Sequence, residues 1–315
     1  MSDFIYFDST NFIKPFGLNN IGFLCYLNTL IQSLLSCTSL NYILQSNNKY
    51  NSNNILNLLK NKHNNNLSIE LFRELIECSK NRLDNIQFTT GQQDAHEGFM
   101  MLLHCINPEL GKNNMSHPEI DRLFRHRYKK LIYCSNINSK QIVSTDEYLF
   151  MVIHEKDIES MKKNIKEDNS TFDKNYQASY IYNYITLTNE ETDDNHICTL
   201  CDEYKFGQHK CKKPLFTQLS MLSEIIVILL KRYSDNKISD YIFDFPEYIT
   251  FKGINGNLNY RSISQIEYSG NGNSGHYWCK CLRGDKWYQF NDNSVIESKY
   301  ENTPNTYIIF YHIYK

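Results

Sequence analysis

The chain has no excess of either charge: 33 Lys and Arg stand against 35 Asp and Glu, a formal net charge of −2. A binder of nucleic acid or of an anionic membrane surface works through concentrated basic charge, so this balance speaks against both. Long apolar runs are also missing. The longest, Ile225 to Leu230, has six residues, far short of the ~20 that a membrane-spanning helix needs. The opening MSDFIYFDST places an acid where a secretory leader would carry basic residues and then an apolar stretch. The expected setting is therefore intracellular, cytoplasmic or nuclear, and not secreted. Ten cysteines follow no evenly spaced framework. In a reducing compartment such residues serve mostly as small buried hydrophobes, with some as metal ligands or nucleophiles. No internal repeat is found.

What is present suffices for a core. Hydrophobic residues at 41% and aromatics at 14% exclude global disorder. The 315 residues allow two domains or one lobed domain. Apolar positions Leu24, Leu27, Leu30, Ile31, Leu34 and Leu35 recur at three- and four-residue steps and predict an amphipathic helix. Helical spacing returns at Ile69–Cys78 and Asp94–Cys105, with a short helix at Ile55–Leu59 inside an Asn-rich stretch. After Pro108 the character changes. Lys130–Cys134, Glu147–Ile153, Tyr180–Leu187, Glu224–Tyr233, His276–Leu282, Trp287–Phe290 and Thr306–Tyr314 are rich in β-branched and aromatic residues and predict strands. Glu155–Lys174 is expected to be a solvated insertion. Helices first and strands afterwards point to an α+β protein.

Two segments carry chemistry. Cys25 stands where a glycine-bearing loop (Gly17, Gly22) meets the apolar helix. A helix N-terminus favours the thiolate through its dipole and free N–H groups. Those groups, with an amide such as Asn20, can also stabilise an oxyanion. On position alone, a core cysteine at a helix start is the commoner reading. Far downstream, SGNGNSGHYWCKCLRGDKWYQFNDNSVI sets His276 at the head of an alternating strand. A turn at Gly284–Asp285 folds the next strand back as a hairpin, which brings Asn291 to His276. An amide or carboxylate beside an imidazole is the arrangement that orients a general base.

These segments resemble the Cys and His boxes of the ubiquitin-specific proteases, papain-like deubiquitinases. With small offsets along the helix, the first keeps Gly17, Leu18, Asn20, Gly22, Cys25, Tyr26, Asn28, Leu30, Gln32 and Leu34. The second keeps Gly275, His276, Tyr277, Trp287, Tyr288, Phe290, Asn291, Asp292 and Val295. Between them, GQQDAHEGFMMLL at 91–103 resembles the Q-Q-D-A-x-E-F motif, and Leu229–Tyr233 resembles the L-K-R-F strand.

The resemblance implies a papain-like α+β fold and a thiol-dependent hydrolase. Such an enzyme cleaves the isopeptide or peptide bond after the C-terminal glycine of ubiquitin and needs no catalytic cofactor. Cys25 matches the nucleophile, His276 the general base, Asn291 the third triad position, Asp292 a supporting acid and Asn20 the oxyanion amide. Gln93, Asp94, Gly275 and Tyr277 match positions where the substrate's tail would lie. Residues 1–16 are expected to form a lead-in. A helical thumb then spans about 17–117, β-rich fingers about 118–212 and a palm about 213–315. The partner implied is ubiquitin or a ubiquitinated protein, met by a monomer. A protease for a ubiquitin-like modifier and a weak ubiquitin-binding pseudoenzyme are the alternatives. Phe23-Leu24 in place of the family's Asn-Thr, Gly98 in place of Phe, and Tyr268 where a His is common are the departures.

Cys198 and Cys201 form a C-x-x-C pair suited to two ligands of a structural Zn²⁺. In the resembling family a second pair lies upstream. Here Cys134 is kept and its partner is Ile137, leaving three thiols, with His196, His209 or Cys211 as an alternative fourth ligand. Cys37, Cys78 and Cys105 read as core fillers, Cys279 and Cys281 as sharing one buried face, and His104 and His126 as surface residues.

Overall fold

The computed structural model describes residues 4–46, 54–60, 64–80, 91, 93–106, 118–134, 139–154, 191–193, 213–234, 237, 238, 240, 242–253, 256–270 and 274–315. The strand expected at Tyr180–Leu187 and the insertion at Glu155–Lys174 lie outside them. The helices come first: α1 (Cys25–Ser36), α2 (Thr38–Ser46), α3 (Asn54–Lys60), α4 (Leu67–Lys80), α5 (Ala95–Ile106) and α6 (Pro118–Phe124). None is long and apolar enough to cross a membrane.

All twelve residues of α1 are buried, Asn28, Thr29, Gln32, Ser33 and Ser36 included. The sequence predicts an amphipathic helix, yet this one lies between α2, α4 and α5 on one side and the main sheet on the other. Its polar residues meet partners inside the protein. Ser33 shares a hydrogen bond of 2.7 Å with Ser264, and Gln32 Nε2 donates to the Phe16 carbonyl at 2.8 Å. Arg283, itself buried, donates to the Ser36 hydroxyl and to both oxygens of Gln32. Buried polar groups cost stability unless paired in this way.

Two sheets follow. Strands β1 (His126–Cys134), β2 (Ser139–Tyr148), β4 (Glu191–Asp193) and β5 (Lys213–Met221) form an antiparallel four-stranded sheet in the order β2-β1-β5-β4. The larger sheet takes β3 (Met151–His154), β6 (Ile225–Lys231), β9 (Tyr248–Gly253), β10 (Gly256–Gly270), β11 (Gly275–Arg283), β12 (Lys286–Asn291), β13 (Ser294–Ser298) and β14 (Thr306–Tyr314). Its order is β13-β12-β11-β10-β14-β6-β3, with β9 also on β10. A short pair, β7 (Tyr233–Ser234) and β8 (Lys237–Ile238), stands apart. The single strand predicted at Glu147–Ile153 divides: β2 ends at Tyr148, and β3 turns into the other sheet beside β6. The sheets therefore cross the boundary expected near residue 212, since β3 joins the large sheet and β5 the small one.

Candidate active site

Cys25 opens α1 and is 3% exposed. The first helical bond runs from Asn28 N to the Leu24 carbonyl at 2.9 Å, so the N–H groups of the first turn have no acceptor within the helix. Leu24 offers no cap of its own, and Asn20 supplies one from outside. Its Oδ1 accepts the N–H of Gly22 and that of Leu24, each at 2.9 Å. Gly22 has φ +105°, which a side chain would resist. Leu24 is fully buried in the core and Phe23 meets the Phe72 ring edge-on at 5.2 Å. The apolar pair before the thiol is thus absorbed by packing against α4.

β11 and β12 form the expected hairpin, with Arg283 opposite Lys286 and Gly284 at φ +63° between them. At its open end, His276 Nε2 lies 2.7 Å from Asn291 Oδ1. A carboxamide oxygen only accepts, so Nε2 carries the hydrogen and Nδ1 holds the lone pair. Trp278 stacks near the imidazole, 6.3 Å away and tilted by 20°.

The turn after β12 joins the hairpin to the cysteine loop. Asp292 has φ +52°. Its carbonyl accepts Leu18 N–H at 2.9 Å, its Oδ2 accepts Asn20 Nδ2 at 3.0 Å, and its Oδ1 accepts Asn28 Nδ2 at 2.7 Å. Gly17 lies so close to the Asn293 backbone that a Cβ would overlap it, which explains the glycine there.

Of the residues expected at the cleft, Asp94 caps α5 through His96 N–H at 2.7 Å. Both of its oxygens also accept the Tyr307 hydroxyl, at 3.0 and 2.8 Å. Gln93 Nε2 reaches the Gly91 carbonyl at 3.5 Å. Tyr277 is buried, and its ring packs with those of Tyr268 and Tyr307. Tyr268 covers Gly270 and Gly275 so closely that neither admits a Cβ. The tyrosine that stands in place of a common His therefore packs against the end of β10 and the start of β11. Gly98 faces the Tyr26 ring, 2.9 Å from where its Cβ would be, and Phe99 fills the core beside it. Asn28, Trp278 and Tyr307 were not among the expected site residues. A buried asparagine one turn from Cys25 in an apolar helix was the one visible signal.

Cys37 and Cys105 are buried and Cys78 is half-buried; Cys279 and Cys281 are fully buried with sulfurs 3.6 Å apart. His126 corrects the sequence reading: it is fully buried, and burial pulls its pKa down to about 4. Cys134 ends β1, whereas Cys198, Cys201, His196, His209 and Cys211 lie outside the described residues. Among the described residues no cluster of three or more His, Cys, Asp and Glu is placed to hold a metal ion. Three thiols are one fewer than the four ligands of a structural zinc site.

Residues 16–311 match the family model for ubiquitin carboxyl-terminal hydrolase. No curated protein sequence matches the chain. Among solved structures it is similar to the SAGA Ubp8/Sgf11/Sus1/Sgf73 deubiquitinating module bound to ubiquitin aldehyde, with 18% identity, a TM-score of 0.69, and 96% of this chain and 70% of that one covered. The same module bound to monoubiquitin gives 20% identity and a TM-score of 0.64, covering 96% and 69%. A yeast SAGA module gives 20% and 0.65, again covering 96% and 69%.

Proposed function

The chain belongs to the ubiquitin carboxyl-terminal hydrolase family and is a cysteine-type deubiquitinase; from that premise we propose that Cys25 is its nucleophile and His276 its general base. The observation that carries this reading is the hydrogen bond between Asn20 and Asp292, residues 272 apart in sequence, which ties the cysteine loop to the histidine hairpin. His276 Nδ1 takes the thiol proton, and the Cys25 thiolate attacks the carbonyl carbon of ubiquitin's terminal glycine. The first-turn N–H groups and the second N–H of Asn20 Nδ2 receive the oxyanion. The imidazolium then protonates the leaving lysine amine. In the second half, water gives its proton to His276, attacks the thioester, and releases ubiquitin and the thiol. Asn291 keeps the imidazole in the tautomer that both halves need.

Asp94, held by Tyr307, and the start of β11 at Gly275 and Tyr277 are read as the walls of the tail channel. The helices to α6, the four-stranded sheet and the eight-stranded sheet are read as thumb, fingers and palm. Two of the similar solved structures hold ubiquitin or its aldehyde, which supports ubiquitin as the partner here. They are multi-subunit modules, so they lend no support to the expected monomer.

The test is turnover of ubiquitin carrying a fluorogenic C-terminal amide, beside ubiquitin-like modifiers with the same reporter. Hydrolysis of the ubiquitin substrate that is lost in Cys25→Ala and His276→Ala is the expected result. Turnover of another modifier in its place would reassign the substrate, and turnover surviving in Cys25→Ala would remove the nucleophile assignment.

A further inference from the structure

Asn28 has no part in the steps above, yet it is 3% exposed, stands one helical turn after Cys25, and donates to Asp292 Oδ1 at 2.7 Å. We propose that Asn28 is a positioning residue of the hydrolysis, acting through Asp292 to fix the oxyanion amide of Asn20; this rests on the deubiquitinase reading.

An ionised carboxylate only accepts hydrogen bonds. Both asparagines that meet Asp292 must therefore present Nδ2, one to each oxygen, at 2.7 Å from Asn28 and 3.0 Å from Asn20. For Asn20 this sets the sense of the amide. Its Oδ1 is turned to the N–H groups of Gly22 and Leu24, and Nδ2 keeps one hydrogen for the substrate. Asp292 can impose that orientation only if it is itself held. It sits on a turn at φ +52°, and Asn28 is the anchor that reaches it from the rigid helix bearing the nucleophile.

A purely structural role fits less well. Among the described residues the buried Asn28 Oδ1 meets no hydrogen-bond donor, and the side chain's other contact, Nδ2 to the Asn19 carbonyl, is long at 3.5 Å. A buried acceptor without a donor costs stability, which offsets most of what the bond to Asp292 contributes to folding.

The experiment measures kcat, KM and melting temperature for wild type, Asn28→Ala, Asn28→Leu, Asn28→Ser, Asp292→Ala and the double variant Asn28→Ala/Asp292→Ala, with fluorogenic ubiquitin amide as substrate. Each Asn28 variant is expected to lower kcat by about 10- to 100-fold, as loss of an outer partner of a reacting group does. KM should stay within about twofold, and Asn28→Leu should melt close to wild type, since the lost bond and the removed unpaired acceptor are of similar size. In the Asp292→Ala background, removing Asn28 should change kcat by less than about twofold, because residues acting as one unit are not additive. Wild-type kcat in all three Asn28 variants, losses that multiply in the double variant, or failure of all three to fold would overturn the inference. A wild-type chain without turnover would instead remove the deubiquitinase reading and this inference with it.

Discussion

Asn291 stands at the end of the histidine hairpin, and its Oδ1 at 2.7 Å decides which imidazole nitrogen holds the lone pair. Replacing it by Ala removes the acceptor that holds the productive tautomer. Asn291→Ala is therefore expected to lose about 10²–10⁴-fold in kcat, with little change in KM. Asn291→Asp keeps an acceptor and should lie within about tenfold of wild type; equal losses in both would place the role of Asn291 elsewhere. Tyr307→Phe tests a different residue. It removes the hydroxyl bonded to Asp94, so KM should rise by about 2- to 10-fold, the worth of one ordinary hydrogen bond, while kcat holds. The meeting of His276 with Asn291 was legible in the hairpin, and the place of Cys25 in the helix start, while Asp292 was marked only by the resemblance. Tyr307 was not, since a tyrosine in an apolar strand carries no sign of a partner 213 positions away.

Elements explain the departures from the family pattern. Gly98 in α5 faces the Tyr26 ring of α1 at 2.9 Å from its absent Cβ, so the two helices approach closely there. Gly98→Ala should lower stability through overpacking, by about 1–3 kcal/mol, of which the better helix propensity of alanine returns about 1. Urea unfolding reads the net loss, and a higher midpoint would refute the close contact. Strand β10 shows why some elements escaped the sequence reading. It is the longest strand among the described residues, and in GNLNYRSISQIEYSG the apolar alternation is broken: Leu258 and Tyr260 keep one phase, Ile263 takes the other, and Ile266 and Tyr268 return to the first. Ser262, Ser264, Gln265 and Glu267 are all buried on it. Ser264 bonds Ser33, Gln265 bonds Asn302 at 3.1 Å, and Glu267 accepts from Thr303 and Thr306. Tertiary partners make a central strand of a polar sequence, and those partners are not local. In α1 the same cause turned a predicted polar face inward.

At the scale of the whole molecule, buried titratable groups link stability to pH. His312 accepts Ser39 N–H on Nε2 at 3.3 Å, and its Nδ1 lies 2.8 Å from the Ile313 carbonyl. Both partners suit the neutral ring, and burial holds its pKa down to about 4. The folded value is below the ordinary 6.5, so its contribution is complete above pH 6.5 and drains away as pH falls toward 4. The loss is at most about 1.4 kcal/mol per unit. His126 is shifted by burial in the same direction. Glu224 runs the other way. Burial raises it from 4.5 to about 7 against the pull of Arg122, so its contribution is present below pH 4.5 and lost as pH rises through 7. Two histidines outweigh one glutamate between pH 6.5 and 4.5, and melting temperature should fall on acidification. In His312→Asn that slope should be shallower by about 1.4 kcal/mol per unit; an unchanged slope would show that His312 does not titrate with folding.

The central claim is that this fold presents Cys25 to the C-terminus of ubiquitin, and a covalent trap tests it most directly. Wild-type chain and Cys25→Ala are incubated with ubiquitin bearing a C-terminal electrophile, and intact mass and peptide mapping are recorded. The account predicts an adduct of one ubiquitin per chain, mapped to Cys25 and missing from Cys25→Ala. No adduct on the wild type, or one that survives in Cys25→Ala, would contradict it.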